Sequence, residues 1–293
     1  MLTVGVDLAA EAVNTAVAWL DWQPDKCVVQ RLEMGADDEL IIEALLAAGK
    51  AGIDCPLGWP VAFVAFVTAH QAGHVEVPTD VVGRTWRRDL ALRLTDQLVY
   101  EQTGLTPLSV SADRIGHAAM RCAALLAQLA RAGRPVDRCG SGVVVEVYPA
   151  ASLKRWGLPH RGYKRPRNVV ELDRLVDAIQ AAAPWLDLGV YESLCRRHHD
   201  AIDAVLAALT ARAASLGHAT TPTDHPAIAP AAARPDDLPC DEADSRANIT
   251  SAEPAPPDRP AAHPGAAEPE LAQAARTEEW IALPTVPLSA LLA

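Results

Sequence analysis

Five acidic residues occupy places where a carboxylate does chemistry more readily than it stabilises a fold. Asp7 closes the β-rich run LTVGVD, and Asp54 closes KAGID two residues before Pro56. Glu146 interrupts the β-branched run GVVVEVYP. Asp200 and Asp203 stand three apart near the start of HHDAIDAVLAALTARAASL, on one helix face. A carboxylate inside an apolar strand is costly unless a cation pairs with it, either an arginine or a metal ion. Several carboxylates, without a C-x-x-C pair or a paired-histidine motif, suit a hard ion such as Mg²⁺ or Mn²⁺. Two such ions about 3.5–4 Å apart would activate a water and stabilise the leaving oxygen of a phosphodiester.

Each of these residues also has a purely structural use. Asp7 and Asp54 could form turns or caps, and Glu146 could pair with Arg or Lys. Asp200 could cap its helix, and Asp203 could complement the helix dipole. The argument therefore rests on the set, in which Asp7, Glu146 and Asp203 are the expected metal ligands and Asp54 and Asp200 assist. Asp203 is preferred to Asp200 because Asp200 has the better claim to be the cap. His198 and His199 precede Asp200 and offer either a ligand or a polar entry to the helix. Adjacent helical residues diverge, so at most one of the two faces the site.

Two basic stretches offer contacts to phosphate. HRGYKRPR (160–167) supplies Arg161, Lys164 and Arg165 around Tyr163, and GRTWRRDLALR (83–93) supplies arginines around Trp86. Arg and Lys clamp phosphate oxygens, and an aromatic ring can stack on a base. The alternative is a solvated loop and an ordinary amphipathic helix. No Walker-type or dinucleotide glycine motif is present.

The elements that must position these groups read as an α/β domain. Strands are expected at 2–7, 15–22 and 26–34, joined as a meander, and then a glycine-stopped helix over 37–49. A short strand follows at 50–54. Residues 61–74 are apolar enough for a buried helix or a cap over the sheet. Helices are expected at 84–103, 113–133, 150–156, 168–182 and 190–216, with a strand at 142–149 between them.

Composition is 50% hydrophobic and 22% charged, which suits a globular core, and the net charge of −11 argues against a general nucleic-acid coat protein. Six scattered cysteines give neither a zinc site nor a disulfide framework. Asp7 and Glu11 stand where an export signal needs an apolar run, and no stretch is long enough for a membrane span, so a cytoplasmic location is expected. Residues 219–276 change character: 17 of the 58 are Ala and 11 are Pro, with a net charge of −6 and no hydrophobic period. Such a stretch buries too little to offset its ordering entropy, so a disordered insertion is expected. The expected organisation is thus a domain over 1–218, the insertion over 219–276, and a closing segment over 277–293 that packs back on the domain.

Seven pieces in order carry a resemblance: GVDLA, GIDCPLG, Arg93-Leu94-Thr95-Asp96, VVVEVYP, Tyr163-Lys164, DAIDAVLAALTAR and EEWIALP. Together they resemble an uncharacterised family (domain of unknown function 429) described as predicted nucleases of RNase H-like fold. The resemblance spans residues 1–217 and 277–284. It implies an RNase H-like mixed sheet with Asp7 as the first-strand carboxylate, Glu146 from a later strand, and Asp203 or Asp200 from the last helix. It also implies that Asp54 assists and that Arg93 and Asp96 belong to the site. The function expected is a Mg²⁺- or Mn²⁺-dependent nuclease acting on nucleic acid or another phosphate ester. The alternatives are a non-catalytic binding or scaffold protein and a phosphohydrolase of a small nucleotide.

Overall fold

A computed structural model describes residues 1–79, 83–134, 136–137, 140–164, 169–222, 273–274 and 276–292. A mixed six-stranded sheet is built from β1 (Leu2–Asp7), β2 (Ala16–Trp22), β3 (Cys27–Met34), β4 (Lys50–Asp54), β5 (Val144–Glu146) and β6 (Leu186–Asp187). Their spatial order is β5-β4-β1-β2-β3-β6. The meander pairs β1, β2 and β3 antiparallel, while β4 runs parallel to β1 and β5 parallel to β4. This α/β arrangement is consistent with the expected RNase H-like fold. The short strand β6, parallel to β3, had no signal in the sequence.

Helices α1 (Asp38–Ala47), α2 (Val61–Gln71), α3 (Gly83–Ala91), α4 (Leu94–Thr103) and α5 (Ile115–Arg131) precede β5. Helices α6 (Pro149–Arg155), α7 (Val169–Ala182), α8 (Glu192–Cys195) and α9 (His199–Ser215) follow it. Strand side chains alternate between the two faces. Val4, Val6, Val17 and Trp19 pack with α1 and α5 on one face. Ala16, Ala18, Leu20 and Trp22 pack with α7 and α9 on the other.

Helix α9 lies directly on the first two parallel strands because glycine allows it. Gly5 and Gly52 face each other across the β1–β4 pair. A Cβ at Gly5 would collide with the Ala204 carbonyl, and one at Gly52 with the Ala207 carbonyl. The Ala-rich face of α9 completes this backbone-to-backbone approach. Each glycine lies two residues before an aspartate, so Asp7 and Asp54 end their strands on the face that α9 covers.

Several expected elements differ in detail. The helix expected over 84–103 is broken at Arg93, which is extended (φ −75°, ψ 163°) and begins α4 with its amide donating to the Asp96 carboxylate at 2.9 Å. The helix expected over 190–216 divides into α8 and α9. Of the two uses expected for 61–74, a buried helix or a cap over the sheet, the first is not met: α2 has no buried residue, and Val61, Val64 and Val67 are exposed. Its partner is α3, through an edge contact of Phe66 with Trp86. The expected insertion begins later than its composition suggests, since Ala219 and Thr220 are buried against 281–284. The disorder expected for 223–272 falls outside the described residues. In the closing segment Ile281 bridges to Glu146, and Trp280 and Leu283 are buried.

Among the described residues, no helix is long and apolar enough to cross a membrane. Cys27, Cys55, Cys122 and Cys195 are buried free thiols.

Candidate functional site

The candidate site forms where the carboxyl ends of β1 and β4 meet the first turn of α9. Asp7 and Asp54 are register partners on adjacent parallel strands, so their carboxylates stand side by side. Like charges placed this way are unfavourable without a cation. From above, α9 adds His199, Asp200 and Asp203. Asp7, His199 and Asp200 each place one ligand atom within 4.8 Å of the other two, all three half-buried.

Asp200 does not take the capping role that was its structural alternative. His198 holds that position, without a side-chain hydrogen bond. Asp200 instead pairs with His199, whose Nδ1 lies 2.7 Å from its Oδ1. One histidine of the adjacent pair thus faces the carboxylates, and it is the one four residues before Asp203.

Crowding sets the protonation of this cluster. Burial, then Asp54 and Asp203, push the Asp7 carboxyl well above the usual range. Burial likewise pushes Asp54 up to about 7, with Asp203 adding to the rise and Lys164 opposing it. Burial acts on Asp200 in the same sense, yet the His199 hydrogen bond and the neighbouring Asp7 carboxyl hold it below its ordinary value. That hydrogen bond raises the His199 pKa. Four carboxylates therefore meet with too little positive charge to ionise together.

Asp203 is fully buried and both of its oxygens have company. Tyr163 Oη donates to Oδ1 at 2.8 Å. Lys164 Nζ lies 2.8 Å from Oδ2, an ion pair out of line for a hydrogen bond. The same ammonium lies 3.7 Å from Asp54 Oδ2. Burial alone would lower the Lys164 pKa, but Asp203, Tyr163, Asp54 and Asp7 outweigh it and raise it well above the ordinary value. Of the other expected phosphate contacts, Arg161 is exposed on the same loop, and Arg165 falls outside the described residues.

Glu146 is the main correction. It pairs in register with Ile53, one residue short of Asp54, so it points to the opposite face of the sheet from Asp7 and Asp54. There Arg93 grips it with both arms, Nη2 to Oε1 at 2.6 Å and Nη1 to Oε2 at 2.7 Å. The Leu57 amide adds a third bond at 3.0 Å. Asp96 closes the network through Arg93 Nη2 at 2.9 Å and Nε at 3.2 Å. Arg93 and Asp96 are each 1% exposed and Glu146 3%, so none of them reaches a substrate as expected. Neither oxygen of Glu146 is left for an ion while Arg93 holds it. Glu278, in the closing segment, caps two helices beside this network by accepting from the Val61 and Leu94 amides.

The sequence left the choice between His198 and His199 open, although the four-residue spacing of His199 to Asp203 puts those two on one helix face. The G-x-D pattern repeated in GVD and GID signals both the helix contact and the shared direction of the aspartates, but only once β1 and β4 are known to pair.

Carboxylates gathered at the strand ends of a mixed α/β sheet place this chain among α/β proteins, and the family follows from the sequence. Residues 5–227 match the family described as "Protein of unknown function (DUF429)", and the chain belongs to that family. No curated protein and no solved structure matches it.

Proposed function

We propose that this protein is a metal-dependent hydrolase of phosphodiesters, a nuclease acting in the cytoplasm with Mg²⁺ or Mn²⁺. The observation that carries the proposal is the convergence of Asp7, Asp200 and His199 on one point, beside Asp54, with a deficit of positive charge. This donor set fits a divalent cation: two carboxylates and an imidazole suit Mn²⁺, and carboxylates with added water suit Mg²⁺. The ligand set first expected, Asp7, Glu146 and Asp203, is thereby revised to Asp7, Asp200 and His199.

An ion held there would supply Lewis-acid charge and a more acidic bound water. The chain's own groups supply the remainder. The raised Asp54 carboxyl exchanges its proton near neutral pH. Tyr163 fixes Asp203 from below. The Lys164 side chain, partly exposed, offers its ammonium to a phosphate.

A second reading is a non-catalytic binding protein of the same fold. It is favoured by one observation, the occupation of the strand carboxylate Glu146 by Arg93. A cleavage screen over single-stranded, duplex and junction nucleic acids, with Mg²⁺ or Mn²⁺, separates the two. The nuclease reading expects cleavage that chelation abolishes and that Asp7→Asn reduces by at least about 10²-fold while the fold is kept, since the loss of a transition-state charge partner costs about that much. Cleavage that survives either treatment would sink it. Ion binding without cleavage of any substrate would favour the second reading.

A further inference from the structure

We propose that Lys164 stands in for a second metal ion, so that the site works with one divalent cation and one ammonium. The inference rests on the metal-dependent reading above and specifies how that site divides its charges.

The four carboxylates fall into two groups. Asp7 and Asp200, with His199, form the donor group open to an ion. Asp54 and Asp203 instead face the Lys164 ammonium, at 3.7 Å and 2.8 Å. Asp203 is fully buried, and its other oxygen is taken by the Tyr163 hydroxyl. A divalent ion on Asp203 would need to approach Oδ2 to about 2.0–2.1 Å for Mg²⁺, which the ammonium now prevents. Two cations so close would also repel strongly in a partly buried site. The place a second ion would take is therefore filled by the chain itself.

In two-ion hydrolases the second cation neutralises charge that builds on the phosphate during in-line displacement. A fixed ammonium offers the same charge as a point donor with rotatable N–H groups. Its position is set from two sides. Asp203 holds the nitrogen at 2.8 Å, and the same nitrogen lies 5.9 Å from the centre of the Tyr163 ring, while the side chain as a whole stays 44% exposed. Asp203 is then a positioning residue for Lys164, which explains why it is buried deeper than any other carboxylate of the site.

Calorimetric titration of the full-length protein with Mn²⁺ tests this directly. The expected result is one ion per wild-type chain, one for Lys164→Arg, and two for Lys164→Ala, with the second lost again in Lys164→Ala/Asp203→Asn. Two ions on the wild-type chain would overturn the inference and leave the hydrolase reading standing, and this needs no variant to fold. A folded Lys164→Ala that still takes one ion would overturn it as well. No ion on the wild-type chain would remove the metal-dependent reading and the inference with it. Circular dichroism of each variant establishes that it has folded.

Discussion

Two clusters of acidic groups flank the same edge of the sheet and differ in what neutralises them. Around Glu146, one guanidinium binds two carboxylates with four bonds, and backbone amides add one bond to Glu146 and two to Glu278. Around Asp7, four carboxylates share one ammonium and one imidazole. The first cluster is closed: Glu146 and Asp96 are both held by Arg93, Glu278 is held by backbone amides, and solvent is excluded. The second is open and short of cations, as a place built to receive one would be. A carboxylate at a strand end is thus no sign of function by itself; the number and kind of its partners decide.

The largest effect that separates the clusters is expected from Arg93→Ala. It strands Glu146 and Asp96 as buried, uncompensated charges, a change that costs about 3–5 kcal/mol. Denaturant unfolding should show that loss. Asp7→Asn, measured in the same way without metal, should be neutral or stabilising because it relieves repulsion. A mild Arg93→Ala beside a severe Asp7→Asn would reverse the roles given to the two clusters.

Gly5→Ala comes next. The added methyl meets the Ala204 carbonyl, so α9 must lift from β1. Overpacking of this kind costs about 1–3 kcal/mol or more. The lift also moves Asp200 and His199 away from Asp7, so Mn²⁺ binding should weaken in any folded variant, while the Arg93 network on the other face stays intact. Unchanged ion affinity would separate α9 placement from the site.

The most gradual effect, small over any one pH unit, is a pH dependence. The folded-state pKa of Asp54 is pushed up to about 7 from an ordinary 3.8, so the folded chain holds this proton more tightly than the unfolded one. Stability of the metal-free protein should then fall as pH rises from about 4 to about 7, by at most about 1.4 kcal/mol per pH unit from this group. Thermal midpoints across that range, compared with Asp54→Asn, should show a shallower slope for the variant. Equal slopes would mean that Asp54 is not crowded as described.

Much of this was legible in the sequence, for reasons that also mark where the reading stopped. Asp7 and Asp54 could be placed because short β-rich runs ended on them. Asp203 could be placed because helical spacing set it beside Asp200. Glu146 misled because its strand, VVVEV, is apolar on both sides, so no alternation told which face the glutamate took. Only the register with β4, offset by one residue from Asp54, settles that. Arg93 read as a phosphate contact on a continuous helix, since neither the helix break at Arg93 nor its ion pair with a partner 53 residues later leaves a local signal. The apolar run of α2 promised burial, yet that helix rests mainly on α3, with apolar side chains exposed. Local pattern thus reached the elements and most of the carboxylates, while the faces they took depended on pairings distant in sequence.

The most direct test of the central claim is the thermal midpoint near neutral pH, with and without added Mn²⁺, for the wild-type protein and Asp7→Asn. The wild type should rise with Mn²⁺ to a saturating value, because an ion bound only to the folded state stabilises it. Asp7→Asn should begin at or above the metal-free wild type and show no such rise. Equal responses from the two proteins, or none from either, would contradict the assignment of Asp7, Asp200 and His199 as a metal site.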